Sequence, residues 1–386
     1  MLVEPKVRGF ICTTAHPLGC EESVLRQISY IKRHGKKEGP KKVLILGAST
    51  GYGLATRIAS TYTYGSATLG VMYEKPATDT RTATPGYYNT KAFEKQAKLD
   101  GYYAKTINGD AFSSEIKEQT IELIKKDLGK VDLVIYSLAA PRRTTPEGIT
   151  YSSALKTTNE PFTNRALDLR TNTLSEVTVN AATPQELEGT IKVMGGEDWK
   201  LWMDALLEAN VLAEGVITMA YSYIGPKLTY PIYHEGTIGK AKQHLYDTSL
   251  IIHRDLQRIG GKAYIAVNKA LVTQASSALP IVPLYMCILY SVMKKKGLHE
   301  GCIEQMDRLF YELLTPEGVL TDELGQIRMD DYELREDVQA EVSSLWKIVN
   351  NENLKEIADI DGYWEDFYHL FGFHYDNIDY TKEVEI

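Results

Sequence analysis

One stretch, Val43-Leu44-Ile45-Leu46-Gly47-Ala48-Ser49-Thr50-Gly51-Tyr52-Gly53-Leu54-Ala55, constrains the fold more than any other part of the chain. Its four leading apolar residues, two of them β-branched, predict a strand buried on both faces. Gly47, Gly51 and Gly53 predict a tight turn, and Leu54-Ala55-Thr56-Arg57-Ile58-Ala59 opens a helix. A turn of this kind aims backbone N–H groups at a pyrophosphate, where the helix dipole favours negative charge. A Cβ at the glycine positions would hold the phosphates away. The competing reading is a glycine-rich βα turn with no ligand.

The second strand reads Ala67-Thr68-Leu69-Gly70-Val71-Met72-Tyr73 and ends at Glu74, where an acidic residue would hold the adenosine ribose. A carboxylate there accepts from the 2′-hydroxyl and repels a 2′-phosphate, which favours NADH over NADPH; the bland alternative is a solvated Glu at a strand end. A third strand near Tyr102 to Ile107 leads to Gly109-Asp110-Ala111. Asp110 suits either an adenine amino group or the N-cap of a helix starting near Ser113. The fourth strand, Val131 to Ser137, runs into Leu138-Ala139-Ala140-Pro141, small enough for a nicotinamide ribose to approach the backbone. Alternating strands and helices predict an α/β fold, a Rossmann-type doubly wound parallel sheet with its ligands outside the carboxyl ends of the strands.

The spacing G-x-x-x-G-x-G is associated with short-chain dehydrogenase/reductase proteins, and the rest of the chain is expected to serve one catalytic domain, 1–386. Within it we expect an N-terminal extension (1–40), a nucleotide-binding core (41–143 and 211–300), an insertion before the catalytic corner (144–210) and a helical C-terminal part (301–386). The extension carries a short strand, Val7 to Ile11, and a helix, Glu21 to His34. Short strands such as Glu176 to Val179 are expected in the insertion. A helix from Trp199 to Leu212 follows, then a buried strand from Gly215 to Tyr223, a helix from Thr237 to about Ile259, a strand from Ala263 to Val267 and an apolar helix after Pro280.

A net charge of −8 argues against nucleic acid as the main partner. The clusters Arg142-Arg143 and Lys294-Lys295-Lys296 remain available to anionic ligands, or are solvated faces. Cys12, Cys20, Cys287 and Cys302 form no metal-site spacing and read as free thiols, so no metal is expected. Residues 1–10 hold no apolar signal-peptide core, and the run from Ala278 to Met293 is too short and interrupted to span a bilayer. The expectation is a soluble cytoplasmic protein without membrane insertion, and a monomer if the extensions cover assembly surfaces.

The chain holds 25 tyrosines, so position must single out a catalyst. Tyr223 closes the fifth strand, and Tyr230 and Tyr233 precede a helix that begins Gly236-Thr237-Ile238-Gly239. A phenol, with a reference pKa near about 10, donates poorly unless a cation tunes it. Tyr233 and Lys240, seven residues apart, share a face of a continuous helix; Tyr233 and Lys242, nine apart, do not. Gly236 and Gly239 suggest that Tyr233 lies on a loop before the helix, so spacing leaves the lysine open.

Taken together, the segments PKVRGFICTTAHPLGC (Pro5 to Cys20), GASTGYG (Gly47 to Gly53), YSLAAPRR (Tyr136 to Arg143), VMGGEDW (Val193 to Trp199), AYSYIGP (Ala220 to Pro226), IYHEGTIGKAK (Ile232 to Lys242) and VNKALVTQASSALP (Val267 to Pro280) resemble the trans-2-enoyl-CoA reductase family, which includes the type V enoyl-acyl-carrier-protein reductases. The resemblance extends to Phe371-Gly372-Phe373 and Asp379-Tyr380, nearly the whole chain. It implies NADH-dependent reduction of the 2,3 double bond of enoyl-CoA or enoyl-acyl-carrier-protein substrates in fatty acid biosynthesis. It implies Tyr233 and Lys242 as the catalytic pair, through Y-x8-K, and Tyr223 as a substrate contact. It also implies that Gly47, Ala48, Ser49, Thr50, Gly51, Tyr52, Tyr73, Glu74, Asp110, Ala111, Leu138, Ala139, Lys242, Leu271, Val272 and Thr273 line NADH/NAD, with Glu74 the determinant against NADPH.

For such a substrate, Leu279 to Tyr290 is a candidate wall for the acyl chain, or an ordinary core helix. Two other functions compete: a short-chain ketone reductase, whose Y-x-x-x-K is absent at this corner, and a non-catalytic NAD-sensing protein, which would not need the tyrosine–lysine pair.

Overall fold

The computed structural model describes residues 1–8, 11–273, 276 and 281–386. At its centre lie seven parallel strands: β1 (Lys42–Leu46), β2 (Ala67–Met72), β3 (Ala104–Asn108), β4 (Val131–Tyr136), β5 (Leu212–Ser222), β6 (Lys262–Val267) and β7 (Ile327–Arg328). Their order across the sheet is β7-β6-β5-β4-β1-β2-β3. In β1, Val43 to Leu46 are fully buried because helices cover both faces, as the unbroken apolar run requires. The sequence direction reverses between β1 and β4, and the two strand ends meet there. β5 shifts register against β4 between Leu212 and Ile217, with Gly215 in the left-handed region (φ +72) absorbing the irregularity.

The helices, in chain order, are α1 (Pro17–Ile31), α2 (Gly51–Tyr64), α3 (Pro85–Leu99), α4 (Ser114–Leu123), α5 (Pro184–Met194), α6 (Glu197–Glu208), α7 (Thr237–Leu256), α8 (Val282–Lys295), α9 (Cys302–Arg308), α10 (Glu336–Ile348), α11 (Leu354–Ile357) and α12 (Ile360–His369). Apolar residues of α1, α2, α3 and α9 pack on one face of the sheet, and those of α4, α6 and α7 on the other. A third cluster gathers α8 with α10 and α12. Arg57 of α2 is fully buried and donates to Thr68 Oγ1 (3.2 Å), Thr106 Oγ1 (2.7 Å) and the Lys105 carbonyl (2.6 Å), pinning α2 to β2 and β3.

Several boundaries differ from expectation for local reasons. α1 starts at Pro17, not Glu21, because the His16 ring caps it by accepting from the Gly19 N–H, with Pro17 pre-set at the first helical position. α6 ends at Glu208 and Leu212 already belongs to β5, with Asn210 in the left-handed region (φ +55) making the break. α7 ends at Leu256 and continues as a short 3₁₀ turn, Gln257–Ile259. Val7–Arg8 pairs with Ile11–Cys12 as a small antiparallel ribbon, while Gly9 and Phe10 lie outside the described residues. Between β4 and β5 stand two hairpins, Arg142–Thr144 with Thr150–Ser152 and Phe162–Asp168 with Thr173–Val179. The C-terminal part is not purely helical. It contributes β7 to the sheet and the hairpin Leu314–Thr315 with Gly318–Val319.

Of the candidate acyl wall, Leu279 and Pro280 lie outside the described residues. From Ile281 to Tyr290 every residue is buried, and α8 is the axis of the third core cluster, the ordinary core helix of the two readings. Phe367 of α12 is fully buried in that cluster against Trp364 and Phe371. Phe367→Ala should therefore cost about 3–5 kcal/mol of stability. Urea unfolding reads it as a lower midpoint; a loss below about 1 kcal/mol would mean that α12 is not part of a shared core.

Candidate active site

The phosphate-sized turn is built by three glycines with different jobs. A Cβ on Gly47 (φ +87) would sit 2.4 Å from the Ser137 carbonyl oxygen, so only glycine lets the ends of β1 and β4 touch. A Cβ on Gly53 would fall 1.8 Å from the Gly47 carbonyl oxygen, so its absence closes the turn onto α2. At Gly51 (φ +53) the missing Cβ faces only Thr273 Cγ2, at 3.9 Å, and the turn stays open there. Thr50 is the N-cap of α2, yet its side chain makes no capping bond, and the first turn holds no acidic residue. The N–H groups of that turn thus remain for an anion, which is the fit a dinucleotide pyrophosphate requires.

Beside the turn, Glu74 accepts from Ser49 Oγ at 2.6 Å, and its own N–H donates to Asn108 Oδ1 at 2.8 Å. A Cβ on Gly86 would lie 2.1 Å from Glu74 Oε1, so the carboxylate is held between Ser49 and the start of α3. The Tyr73 side chain is 79% exposed. Asp110 Oδ1 accepts the Phe112 N–H (3.0 Å) in a turn of its own, whereas Ser113 caps α4 by accepting from Ile116 N–H. The helix cap is therefore Ser113, not Asp110. The Ala111 carbonyl takes hydrogen bonds from Trp202 Nε1 and Lys117 Nζ, both at 3.0 Å, and Lys117 pairs with the buried Asp198 at 2.8 Å. Leu138 and Ala139 follow β4, with Leu138 Cδ2 within 3.2 Å of the Gly47 Cβ position.

At the other end, Tyr52 reaches from α2 to donate to the Lys269 carbonyl (2.8 Å), and the Val272 N–H bonds the Tyr290 hydroxyl (3.0 Å). Ser276 Oγ donates to the Leu271 carbonyl at 2.7 Å. Leu271, Val272 and Thr273 are thus fastened opposite the glycine turn. In the motif from Val267 to Pro280, residues 274, 275 and 277–280 lie outside the described residues.

Tyr233 sits in the turn before α7, its N–H bonded to the Thr229 carbonyl at 2.9 Å. That turn folds back onto α7 because Gly239 has no Cβ; one would stand 1.9 Å from the His234 carbonyl oxygen. Tyr223 and Tyr233 meet edge to face with ring centroids 4.8 Å apart. Among the described residues the Tyr233 hydroxyl has no hydrogen-bond partner, while the Tyr223 hydroxyl donates to Glu333 at 2.8 Å. Burial, and then the Glu333 carboxylate, push the Tyr233 phenol above its ordinary range. Lys240 is exposed; Lys242 is partly buried, with Nζ 3.3 Å from the Tyr221 carbonyl. Burial lowers Lys242 to about 8. Among the described residues Lys242 makes no bond to Tyr233, so a cation tuning the phenol downward is not a feature of this geometry.

Glu333 was not anticipated. It lies in Met329-Asp330-Asp331-Tyr332-Glu333, a run that reads as a solvated acidic loop, and no local pattern marks it as buried.

Set beside known proteins, the chain matches three family models. One, described as the trans-2-enoyl-CoA reductase catalytic region, covers residues 81–315. Another, the NAD(P)H binding domain of trans-2-enoyl-CoA reductase, covers 2–79. The chain belongs to the trans-2-enoyl-CoA reductase family. It is 55% identical over 386 residues to the enoyl-[acyl-carrier-protein] reductase [NADH] of Cytophaga hutchinsonii, covering 100% of this chain and 98% of that one. It is 54% identical, with the same coverage, to the trans-2-enoyl-CoA reductase [NADH] of Ruminiclostridium cellulolyticum. The crystal structure of the Clostridium acetobutulicum trans-2-enoyl-CoA reductase in complex with NADH superposes with a TM-score of 0.97 at 46% identity, over 100% of this chain and 98% of that one. The Treponema denticola trans-2-enoyl-CoA reductase in complex with NAD gives 0.96 at 47% identity, with equal coverage.

The third model, described as an enoyl reductase FAD binding domain, matches 321–384. The residues present in this reductase do not fit a flavin dinucleotide. Of the segment's three glycines, Cβ positions on Gly362 and Gly372 fall 2.3 Å from Asp359 Oδ2 and 2.5 Å from the His16 carbonyl oxygen, so these two open no cradle, and Gly325 (φ +73) lies in an exposed turn. The first turns of α10 and α12 carry Glu336, Asp337 and Asp361, which repel a pyrophosphate. The segment borders a cleft of about 430 Å³ with Leu169 and Trp364, but its one guanidinium, Arg170, is already held by Asp168 at 3.0 Å.

Glu74→Ala should narrow the preference for NADH over NADPH, because the carboxylate fixed beside Ser49 would no longer repel a 2′-phosphate. Paired kcat/KM measurements with the two cofactors test this; an unchanged ratio removes Glu74 from that role.

Proposed function

We propose that this protein reduces the 2,3 double bond of trans-2-enoyl thioesters with NADH, on coenzyme A or acyl carrier protein, in fatty acid biosynthesis. The observation that carries the reading is the Tyr233 hydroxyl, without a hydrogen-bond partner among the described residues, beside Tyr223, which follows the carboxyl end of β5 as the open glycine turn follows that of β1. The cofactor, when bound, supplies a hydride from the nicotinamide to the β-carbon of the conjugated bond.

The chain's residues do the rest. The first turn of α2 holds the pyrophosphate and Glu74 the adenosine ribose. Lys242 would meet the nicotinamide ribose hydroxyls, and Leu271 to Thr273 would line the nicotinamide. As hydride arrives, negative charge develops on the thioester oxygen. Tyr233, kept protonated by its surroundings, donates a hydrogen bond to that oxygen and afterwards a proton for the α-carbon. Tyr223 walls the reacting centre with its ring. The protein acts as a monomer in the cytoplasm, without nucleic acid. α10 and α12 covering α8, and four free cysteines, support that part of the reading. Among the described residues no helix is long and apolar enough to cross a membrane.

Mixing the protein with NADH and crotonyl-CoA should consume NADH stoichiometrically with butyryl-CoA formed, and Tyr233→Phe should cost about 10²–10³ in kcat. No oxidation with any 2-enoyl thioester on either carrier would overturn the reading.

Lys242→Met should abolish turnover, whereas Lys240→Met, at an exposed position, should spare it. Lys242 titrates near 8 without cofactor, and the anionic cofactor favours its protonated form. NADH affinity should therefore weaken as pH rises through about 8, because the free protein loses that proton first. Fluorescence titrations from pH 7 to 9 should show this step in the unaltered protein and not in Lys242→Met. A step that survives the substitution assigns it elsewhere.

A further inference from the structure

We propose that Glu333 is a positioning residue for the reduction: it ties down the Tyr223 hydroxyl and so leaves Tyr233 alone to donate to the substrate. This inference rests on the reading of the site given above. The carboxylate comes from the C-terminal segment and is fully buried. Its Oε1 accepts from the Tyr223 hydroxyl (2.8 Å) and the Tyr285 hydroxyl (2.7 Å), and its Oε2 from the Ala270 N–H (2.7 Å). Gln339 Nε2 donates in turn to the Tyr285 hydroxyl at 3.1 Å and to the Glu333 carbonyl, which fixes the backbone that presents the carboxylate.

Three groups converge on one side chain, and an ionised carboxylate, which only accepts, makes donors of all three; an amide with its oxygen on the Ala270 N–H would instead turn its NH₂ to the phenols and make them accept. The direction of each bond follows. Tyr223 must donate to Glu333, so its proton cannot point at a thioester oxygen, while its ring stays packed against Tyr233. Two phenols side by side would otherwise be interchangeable donors. The third contact couples this choice to the cofactor side, since Ala270 directly precedes Leu271, Val272 and Thr273. A carboxylate buried for packing alone is costly to retain, whereas here it selects which hydroxyl is free.

Among the described residues, the titratable groups on the elements packed about this corner include Tyr223 after β5, Tyr285 on α8, Lys269 after β6, Lys242 on α7 and Tyr52 on α2, which senses the Glu333 charge. Tyr230, His234 and Glu235 share the turn of Tyr233. Burial raises the Glu333 carboxyl, and Lys269 works against that rise by favouring the charged form; Glu333 in turn raises Tyr233, after burial. Removing the negative charge should therefore let Tyr233 ionise at lower pH.

The test compares Glu333→Gln, Tyr223→Phe and the double variant with the unaltered protein. Each single substitution unties the Tyr223 ring from the anchor that holds it against Tyr233, so each should lower kcat about tenfold with NADH affinity kept within about threefold, and the double should be no slower than the slower single. In Glu333→Gln the basic limb of the kcat–pH profile should move to lower pH, which a loss of packing alone would not cause. Losses that multiply in the double variant, or a Glu333→Gln protein with unaltered kcat and profile, overturn the assignment. Should Glu333→Gln fail to fold, Tyr223→Phe, which leaves the carboxylate its Tyr285 and Ala270 contacts, carries the kinetic test, and unchanged kcat there overturns it. If the unaltered protein oxidises no NADH, the functional reading fails by itself. ¹³C-tyrosine NMR titration of Tyr233 with and without Tyr223→Phe and Glu333→Gln then still decides whether Glu333 governs that phenol, an unmoved titration refuting it.

Discussion

The architecture depends on a contact that a single methyl group would forbid. The carbonyl of Gly47 lies where a Cβ of Gly53 would have to be, and the carbonyl of Ser137 where a Cβ of Gly47 would have to be. These two approaches pull α2 down onto β1 and bring the ends of β1 and β4 together. An anion site arises from the same collapse, because the helix N-terminus is left close to the strand ends and without a side-chain cap. Fold and cofactor site are one geometric event here, and the buried guanidinium of Arg57 fastens it from below.

The opposite half of the site is assembled differently. It is not made by one turn but by three distant pieces: the turn before α7, the loop after β6 and the segment after β7. Gly239 allows the first to fold back on its own helix, and Tyr52 and Tyr290 tether the second. The third enters through a carboxylate. The result is a phenol that, among the described residues, has no hydrogen-bond partner, next to a Tyr223 hydroxyl that has one.

Much of this was legible in the sequence where one local pattern carries the information. Buried strands announce themselves as runs such as Val43 to Leu46, and the glycine turn by its spacing, so six of the seven strands and the sheet type could be read directly. β7 could not, since Ile327–Arg328 is two residues long and becomes a strand only by lying against Ala266 and Val267. The ends of α1 and α6 moved because a histidine cap and a left-handed asparagine leave weak marks in composition. Spacing left Lys240 and Lys242 equal; burial on one side of α7 separates their surroundings. Glu333 was invisible because its partners lie 48 to 110 residues away in sequence and its neighbours look like a solvated acidic loop.

That separation has a consequence for how the protein comes into being on the ribosome. The glycine turn and the strands β1 to β4 around it have all emerged by Leu138, whereas β6 keeps an unpaired edge until Ile327 arrives, and Tyr223 waits 110 residues for its anchor. The glycine turn and its flanking strands are thus synthesised long before the segment that anchors Tyr223. The open edge of β6 through that interval is the natural place for chaperone engagement or mispairing.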